Sequence, residues 1–331
     1  MSGAGCYPGM VMTAPDQKYA RQWTRRLRTR LLSGLYVDLN RDYRNCVFLA
    51  GSARSGTTWA SDIINYKNDY RYVFEPFHPG KVGICRGFRY KQYLRLQDRR
   101  EEFLRPARII LSGGLRSGWS DRFHSRFVSR RRLVKDTRAN LLLGWLRANF
   151  PKMPIVLLLR HPCAVAHSQI QLGWGPDVED FLSQRELVED FLLPFEDEMR
   201  SAKTDFERHV FSWCVENYVP LKMLKRGDVH LTFYENLSEY PKDEVGRLFA
   251  FLDKDFDASV FERMKKPSLL SREGSAVLSG ERLVGGWRRH VTDRQLGRAL
   301  EILGHFGLDG VYSGKVMPDP DGALALMEPV R

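Results

Sequence analysis

No apolar run in the 331 residues approaches the roughly 18 needed to cross a bilayer, so no membrane span is expected. The first residues, MSGAGCYPGMVMTAPDQKYARQW, lack a charged start followed by an apolar stretch and do not read as a signal peptide. Cysteine is scarce. Cys6, Cys46, Cys85, Cys163 and Cys214 are odd in number, widely scattered and without a CxxC pair, which excludes a disulfide framework and fits reduced thiols in a cytoplasmic protein. The eight histidines form no zinc pattern, and His161 and His167 are six apart, off a common helical face. No metal is expected. Internal repeats, low-complexity tracts and clear linkers are also lacking.

What is there suits a globular protein with a sizeable core: 43% hydrophobic residues and 28% charged. The formal charge is +12, and residues 86–132 alone hold fourteen Lys or Arg against four acids. Two readings stand for that stretch: a solvated surface, or a basic face for an anionic substrate, a membrane surface or nucleic acid. A second basic stretch, 17–32, can be written as a helix with Tyr19, Trp23, Leu27 and Leu31 at four-residue spacing among five arginines. It is either a helix packed on the domain or one lying on a membrane surface.

Short apolar runs predict strands at about 46–50, 71–75, 132–135, 154–159 and 229–234. Helical patterns fall at 56–67, 138–149, 162–172, 204–226, 241–252, 258–265 and 292–305. Strand and helix in alternation predict an α/β fold, a P-loop-like three-layer sandwich with a central parallel sheet and helices on both faces. Ligands of such sheets bind at the carboxyl ends of the strands. The expected division is an N-terminal extension over 1–45, a catalytic domain over 46–312 carrying a basic insertion at 80–132, and a tail over 313–331.

The segment VFLAGSARSGTT, 47–58, places a small-residue turn between a strand and a helix. The helix start offers unpaired backbone N–H groups and the positive end of the helix dipole. Gly51 and Gly56 permit close approach to an anion, Arg54 adds a guanidinium fork, and Ser55, Thr57 and Thr58 add hydroxyls. A nucleotide-binding P-loop would carry lysine where Thr57 stands, and ATP chemistry needs that lysine and a magnesium ion. A sulfuryl group carries less charge than a terminal phosphoryl group, so its transfer can dispense with both.

GSARSGTT resembles the 5′-phosphosulfate loop of sulfotransferases that use 3′-phosphoadenosine 5′-phosphosulfate (PAPS), in the arginine-containing form of the carbohydrate and tyrosylprotein enzymes and their bacterial relatives. The segment IVLLLRHPCAVAHSQ resembles the family's second element, a strand ending in arginine followed by a helix carrying serine. The resemblance implies that Arg160 and Ser168 bind the 3′-phosphate, with His161 where the family often has aspartate. HLTFYENLSEYPKDEVGRLFAFL and GGWRRHVT are similar to two later elements. Trp59, Tyr234 and Arg288 are carried over as cofactor-side residues, Arg282 being the alternative to Arg288.

RYVFEPFHP resembles the strand ending in -EP- of carbohydrate sulfotransferases, which implies that Glu75 accepts the proton of the acceptor hydroxyl. His78 is the alternative base. LVKDTR resembles the -KDP- element, which implies that Lys135, with Arg54, stabilises the leaving phosphate. Asp136 then caps the following helix or orients Lys135 or Arg54. The implied donor is PAPS, with no metal required. The implied acceptor is a hydroxyl on a carbohydrate or glycolipid; the basic insertion favours an acidic or membrane-borne one, and 178–200 is expected to form part of a lid. Nucleic acid is not expected as a partner, peripheral membrane contact is compatible with the charge, and oligomeric state is not readable. Two rivals stand beside this reading, a P-loop kinase or NTPase and a non-catalytic nucleic-acid binder.

Overall fold

The computed structural model describes residues 36–124, 126–266 and 284–327. The stretch read as a basic helix at 17–32 and Arg282 lie outside them.

Among the described residues five strands form one parallel sheet: β1 (Cys46–Ala50), β2 (Tyr70–Phe74), β3 (Arg131–Asp136), β4 (Ile155–Leu159) and β5 (His230–Phe233), in the order β2-β3-β1-β4-β5. CVFLA and IVLLL are continuous apolar runs because each is buried on both faces, as strands inside a helix-covered parallel sheet must be. Along β1, Val47 and Leu49 enter one core with Ile63 and Phe249, while Cys46, Phe48 and Ala50 enter the other with Trp145 and Val215. Helices α1 (Thr57–Ile64), α2 (Glu101–Leu111), α3 (Leu143–Asn149), α4 (Pro162–Ile170), α5 (Asp205–Met223), α6 (Tyr234–Glu239), α7 (Pro241–Phe251), α8 (Ser259–Met264), α9 (Asp293–His305) and α10 (Pro320–Leu326) surround the sheet. This is the three-layer architecture expected. After β1 the chain fills the β3 and β2 side of the sheet, then crosses to β4, so the topological switch point lies at the carboxyl end of β1.

Register aligns the strand ends. Ala50 pairs with Asp136, Phe74 with Lys135, and Leu159 with Phe233. The residues that follow, Gly51, Glu75, Thr137, Arg160 and Tyr234, therefore share one edge.

Two expectations are corrected. The strand read at 71–75 ends at Phe74, which leaves Glu75 in the turn beyond it. The basic stretch is also not one solvated face. Arg132 is buried against Asp38 at 2.7 Å and donates to the Leu111 carbonyl. Arg95 and Arg100 pair with Asp190 and Asp98. Phe88 and Tyr93 are core, whereas Tyr90 and Phe127 are exposed. The segment 89–95 is fastened to the short helical turns at 178–201: Gln184 accepts from the Tyr93 amide at 2.8 Å, and buried Lys91 lies between Asp177 and Glu216. Beyond Tyr312 the chain stays on the domain through α10, whose Ala323 is buried.

Among the described residues no helix is long and apolar enough to cross a membrane, and no group of three His, Cys, Asp or Glu side chains could hold a metal.

Candidate active site

The turn from Gly51 to Gly56 is held from outside. Asn140, from the turn before α3, accepts from the Gly51 amide at 3.0 Å. Asn217, inside α5, donates to Ser52 at 3.2 Å, and Gln169 of α4 donates to the Ala53 carbonyl at 2.9 Å. A Cβ on Gly51 would lie 2.5 Å from the Leu158 carbonyl oxygen, so only glycine fits between β1 and β4. Among the described residues no side chain caps α1, whose N-cap is Gly56 at φ 99°. Its first-turn amides stay available to an anion. Ser55 Oγ is buried with no hydrogen-bond partner among the described residues. A buried hydroxyl without a partner is costly, and an anion in the turn would supply the missing acceptor. The donors fit a phosphosulfate: amides, a hydroxyl and no lysine.

Gly56 also meets Tyr234. A Cβ there would stand 2.6 Å from the tyrosine ring. That ring cannot retreat, because Trp59 packs edge-on against it at 5.4 Å and the Arg160 guanidinium covers it at 4.2 Å. Gly56→Ala therefore combines the clash with a positive φ, a cost of about 1–3 kcal/mol. We expect a lower melting temperature and at least a tenfold weaker affinity for 3′-phosphoadenosine 5′-phosphate (PAP). A calorimetric titration with unchanged affinity would show that the turn is not the anion site.

Arg160, Arg54 and Ser168 are brought together. Arg54 Nε donates to Ser168 Oγ at 3.0 Å, and Arg160 Nη1 donates to the Arg54 carbonyl at 3.0 Å. The Arg160 carbonyl accepts from Trp213 Nε1 at 3.0 Å. Arg54 thus meets Arg160 through its backbone carbonyl and Ser168 through its side chain, which turn-based reading did not foresee. His161 does the work of a helix cap. Its Nδ1 accepts from the Cys163 amide at 3.3 Å, its own amide donates to Glu235, and its ring stacks on Trp287 at 4.1 Å. Burial pushes its pKa down to about 3, so the neutral imidazole accepts as an aspartate cap would. Trp59 donates to the Met264 carbonyl and anchors α8. Arg288 lies over Trp287 and donates to the Gly314 carbonyl, one ring away from His161.

Glu75 sits at φ 42°, a conformation a non-glycine residue holds only when its surroundings over-determine it. They do so here. Its amide donates to the Lys135 carbonyl at 2.7 Å, its carbonyl accepts from Trp119 Nε1 at 3.2 Å, and Asp136 holds the Phe77 amide at 2.9 Å. One carboxylate oxygen accepts from Lys135 Nζ at 2.9 Å and from Thr137 Oγ1 at 3.2 Å, and the other pairs with Arg138. Burial alone would raise the Glu75 pKa. The charges of Lys135 and Arg138 outweigh it and hold the carboxyl below its ordinary value. Burial lowers the Lys135 pKa, an effect Glu75 partly offsets. Burial and the Glu75 charge push Asp136 up to about 6. Asp136 also accepts from the Arg138 amide at 2.9 Å, so it holds the turn after β3 rather than capping a helix, and it also fastens the Glu75 turn.

Arg138 was missed from the sequence, although LVKDTR places a second cation three residues after Lys135. His78 is half-buried, with Nδ1 accepting from the Gly80 amide. Its ring lies edge-on to Trp119 at 5.3 Å and to Tyr90 at 6.0 Å, and Arg138 covers Tyr90 at 4.9 Å.

Residues 44–304 match the sulfotransferase domain family. The nodulation protein NoeE of Sinorhizobium fredii (strain NBRC 101917 / NGR234) is 25% identical over 288 residues, covering 78% of this chain and 63% of NoeE. The chain thus spans less than two thirds of that relative's length. Among solved structures, the sulfotransferase domain from the curacin biosynthetic pathway is 13% identical with a TM-score of 0.44, covering 81% of this chain and 97% of that one. Mouse sulfotransferase SULT7A1, complexed with PAP, is 17% identical with a TM-score of 0.43, covering 90% and 92%. The domain match takes in the turn, Glu75, Lys135, Arg160 and Ser168 together, and the chain belongs to the sulfotransferase family.

Proposed function

We propose that this chain moves the sulfuryl group of PAPS to a hydroxyl of a carbohydrate, with Glu75 as the proton acceptor. The observation that carries the reading is the Glu75 turn, where one carboxylate is buried between Lys135, Thr137 and Arg138 at the carboxyl edge of the sheet. The donor supplies an activated sulfate. Ser55, Gly56, Thr57 and Thr58 hold its 5′ end with the first amides of α1, and Arg160 and Ser168 hold its 3′-phosphate. Trp59 and Tyr234 would brace that site, and Arg288 lies behind it, over the Trp287 ring that stacks on His161. Arg54 joins the two ends, which moves it from the leaving-phosphate role towards binding. Lys135, next to Glu75, stabilises the bridging oxygen as charge develops there. Glu75, ionised because its pKa is lowered, takes the hydroxyl proton.

The sugar reading rests on the acceptor side. Exposed Tyr90, half-buried Trp119 and His78 present aromatic surface beside the carboxylate, with Lys81 5.9 Å from the Trp119 ring. Such surface offers an apolar body with polar edges to a ring-shaped polar acceptor. Cytoplasmic placement belongs to the same proposal, supported by four buried free thiols.

Calorimetric titration with PAP, with ATP and magnesium in parallel, tests the reading. PAP should bind without metal, and ATP weakly or not at all. Tight ATP–magnesium binding with no PAP binding would return the turn to kinase chemistry.

A further inference from the structure

A small parallel ladder at the amino edge of the sheet is built inside out. Val37 pairs with Val128 and Asp38 with Ser129. In a half-buried ladder the apolar residues should face inward and the polar ones outward. Here Val37, Leu39 and Val128 are 48%, 56% and 47% exposed, while Asp38 and Ser129 are 5% and 3% exposed. Asp38 is held inside by Arg132 at 2.7 Å, and this buried pair sets the face of the whole ladder. Beside the exposed aliphatics lies a cleft of about 300 Å³, lined by Leu39, Asp69, Arg126, Val128, Arg130 and Arg131. All three arginines are exposed, and the acid there, Asp69, is engaged by Lys254 at 2.9 Å.

We propose that this face docks on an anionic lipid bilayer. Exposed aliphatics framed by arginines suit the boundary between acyl chains and anionic headgroups. A nucleic acid or a sulfated polysaccharide would use the arginines and leave Val37, Leu39 and Val128 in water. The chain just before the ladder carries Arg21, Arg25, Arg26, Arg28 and Arg30. That charge has the sign an anionic surface attracts. The proposal is independent of the chemistry at Glu75. β3 runs from Arg131 at this face to Lys135 and Asp136 at the active site, roughly 15 Å away. The active edge therefore opens away from the bilayer, towards acceptors arriving from water.

The test is co-sedimentation of the full chain with vesicles of phosphatidylcholine alone and with added phosphatidylserine, with heparin retention in parallel. The parent should sediment with the anionic vesicles only, and less so at high salt. Leu39→Asp with Val128→Asp should lower the partition at least tenfold, and Arg130→Gln with Arg131→Gln should do the same, each cation near such a surface being worth about fivefold. PAP affinity, unchanged in both double variants, reports that they fold. Three results would overturn the proposal: equal sedimentation of parent and both variants, heparin retention without vesicle binding, or a parent dimer in vesicle-free solution that the Leu39 and Val128 variant dissociates.

Discussion

Arg160→Ala should bind PAP at least about a hundredfold more weakly than the parent, the largest loss of affinity we expect from one side chain. A hydrogen bond to a charged group contributes about 1.5–3 kcal/mol, and a guanidinium on a phosphate makes two in a fixed fork. Arg160 also does local work that the variant loses. Its Nη1 fixes the Arg54 carbonyl, and its guanidinium covers Tyr234, the ring against which Gly56 packs. The loss should therefore spread from the 3′-phosphate to the 5′ turn. Arg160→Lys separates the two effects. It keeps the charge and drops the fork, and we expect roughly a tenfold loss instead. Ser168→Ala removes one neutral hydroxyl and frees Arg54 Nε, so its loss should be smaller, about fivefold. Calorimetry on the three variants checks the order. If Arg160→Ala matches the parent, the 3′-phosphate lies elsewhere. If Ser168→Ala exceeds Arg160→Ala, Arg54 is the principal phosphate ligand.

Much of the framework was legible because the central strands are dry on both faces. CVFLA and IVLLL admit no polar residue, so their boundaries could be placed closely, and a parallel sheet then sends every strand end to one edge. Gly51, Glu75, Lys135 and Arg160 could be brought to that edge from order alone. What lay hidden were pairings across long separations. Arg54 and Ser168 are 114 residues apart, and Gly51 and Asn140 are 89 apart. No local pattern announces such contacts. The basic stretch divides between surface and core for a related reason. Arginine usually marks a surface, yet Arg132 is buried because Asp38, 94 residues away, meets it. The same pair turned the edge ladder over, so alternation at 37–39 and 127–130 points the opposite way from the burial. Arg138 could have been found: a cation soon after Lys135 at a strand end shares the reach of anything Lys135 reaches.

Glu75→Gln should cut turnover by about 10²–10⁴-fold, the usual worth of a positioned proton acceptor, and leave PAP affinity within about threefold. The amide still accepts one hydrogen bond, so Lys135 or Thr137 keeps a partner, but it cannot take a proton. Stability responds too, and its pH dependence is the sharper readout. The Glu75 pKa is lowered in the folded chain, so its ion pairs contribute stability that is present above the ordinary carboxylate range and lost as pH falls through the lowered value. The variant should therefore melt below the parent at neutral pH, and the gap should close in acid, where the parent's carboxyl is neutral as well. Asp136 limits the damage. Its pKa is raised to about 6, after burial, by the Glu75 charge. Removing that charge lets Asp136 ionise more readily and remain as the counter-ion to Arg138 and Lys135. His78→Ala is the matched control, since His78 reaches the same side through Trp119 and Tyr90 and pairs with neither Lys135 nor Arg138 in any described contact. If Glu75→Gln turns over near the parent rate while His78→Ala does not, the imidazole is the base and the buried carboxylate only orients Lys135. If both keep PAP affinity and only Glu75→Gln stops, proton transfer belongs to the carboxylate at the end of β2.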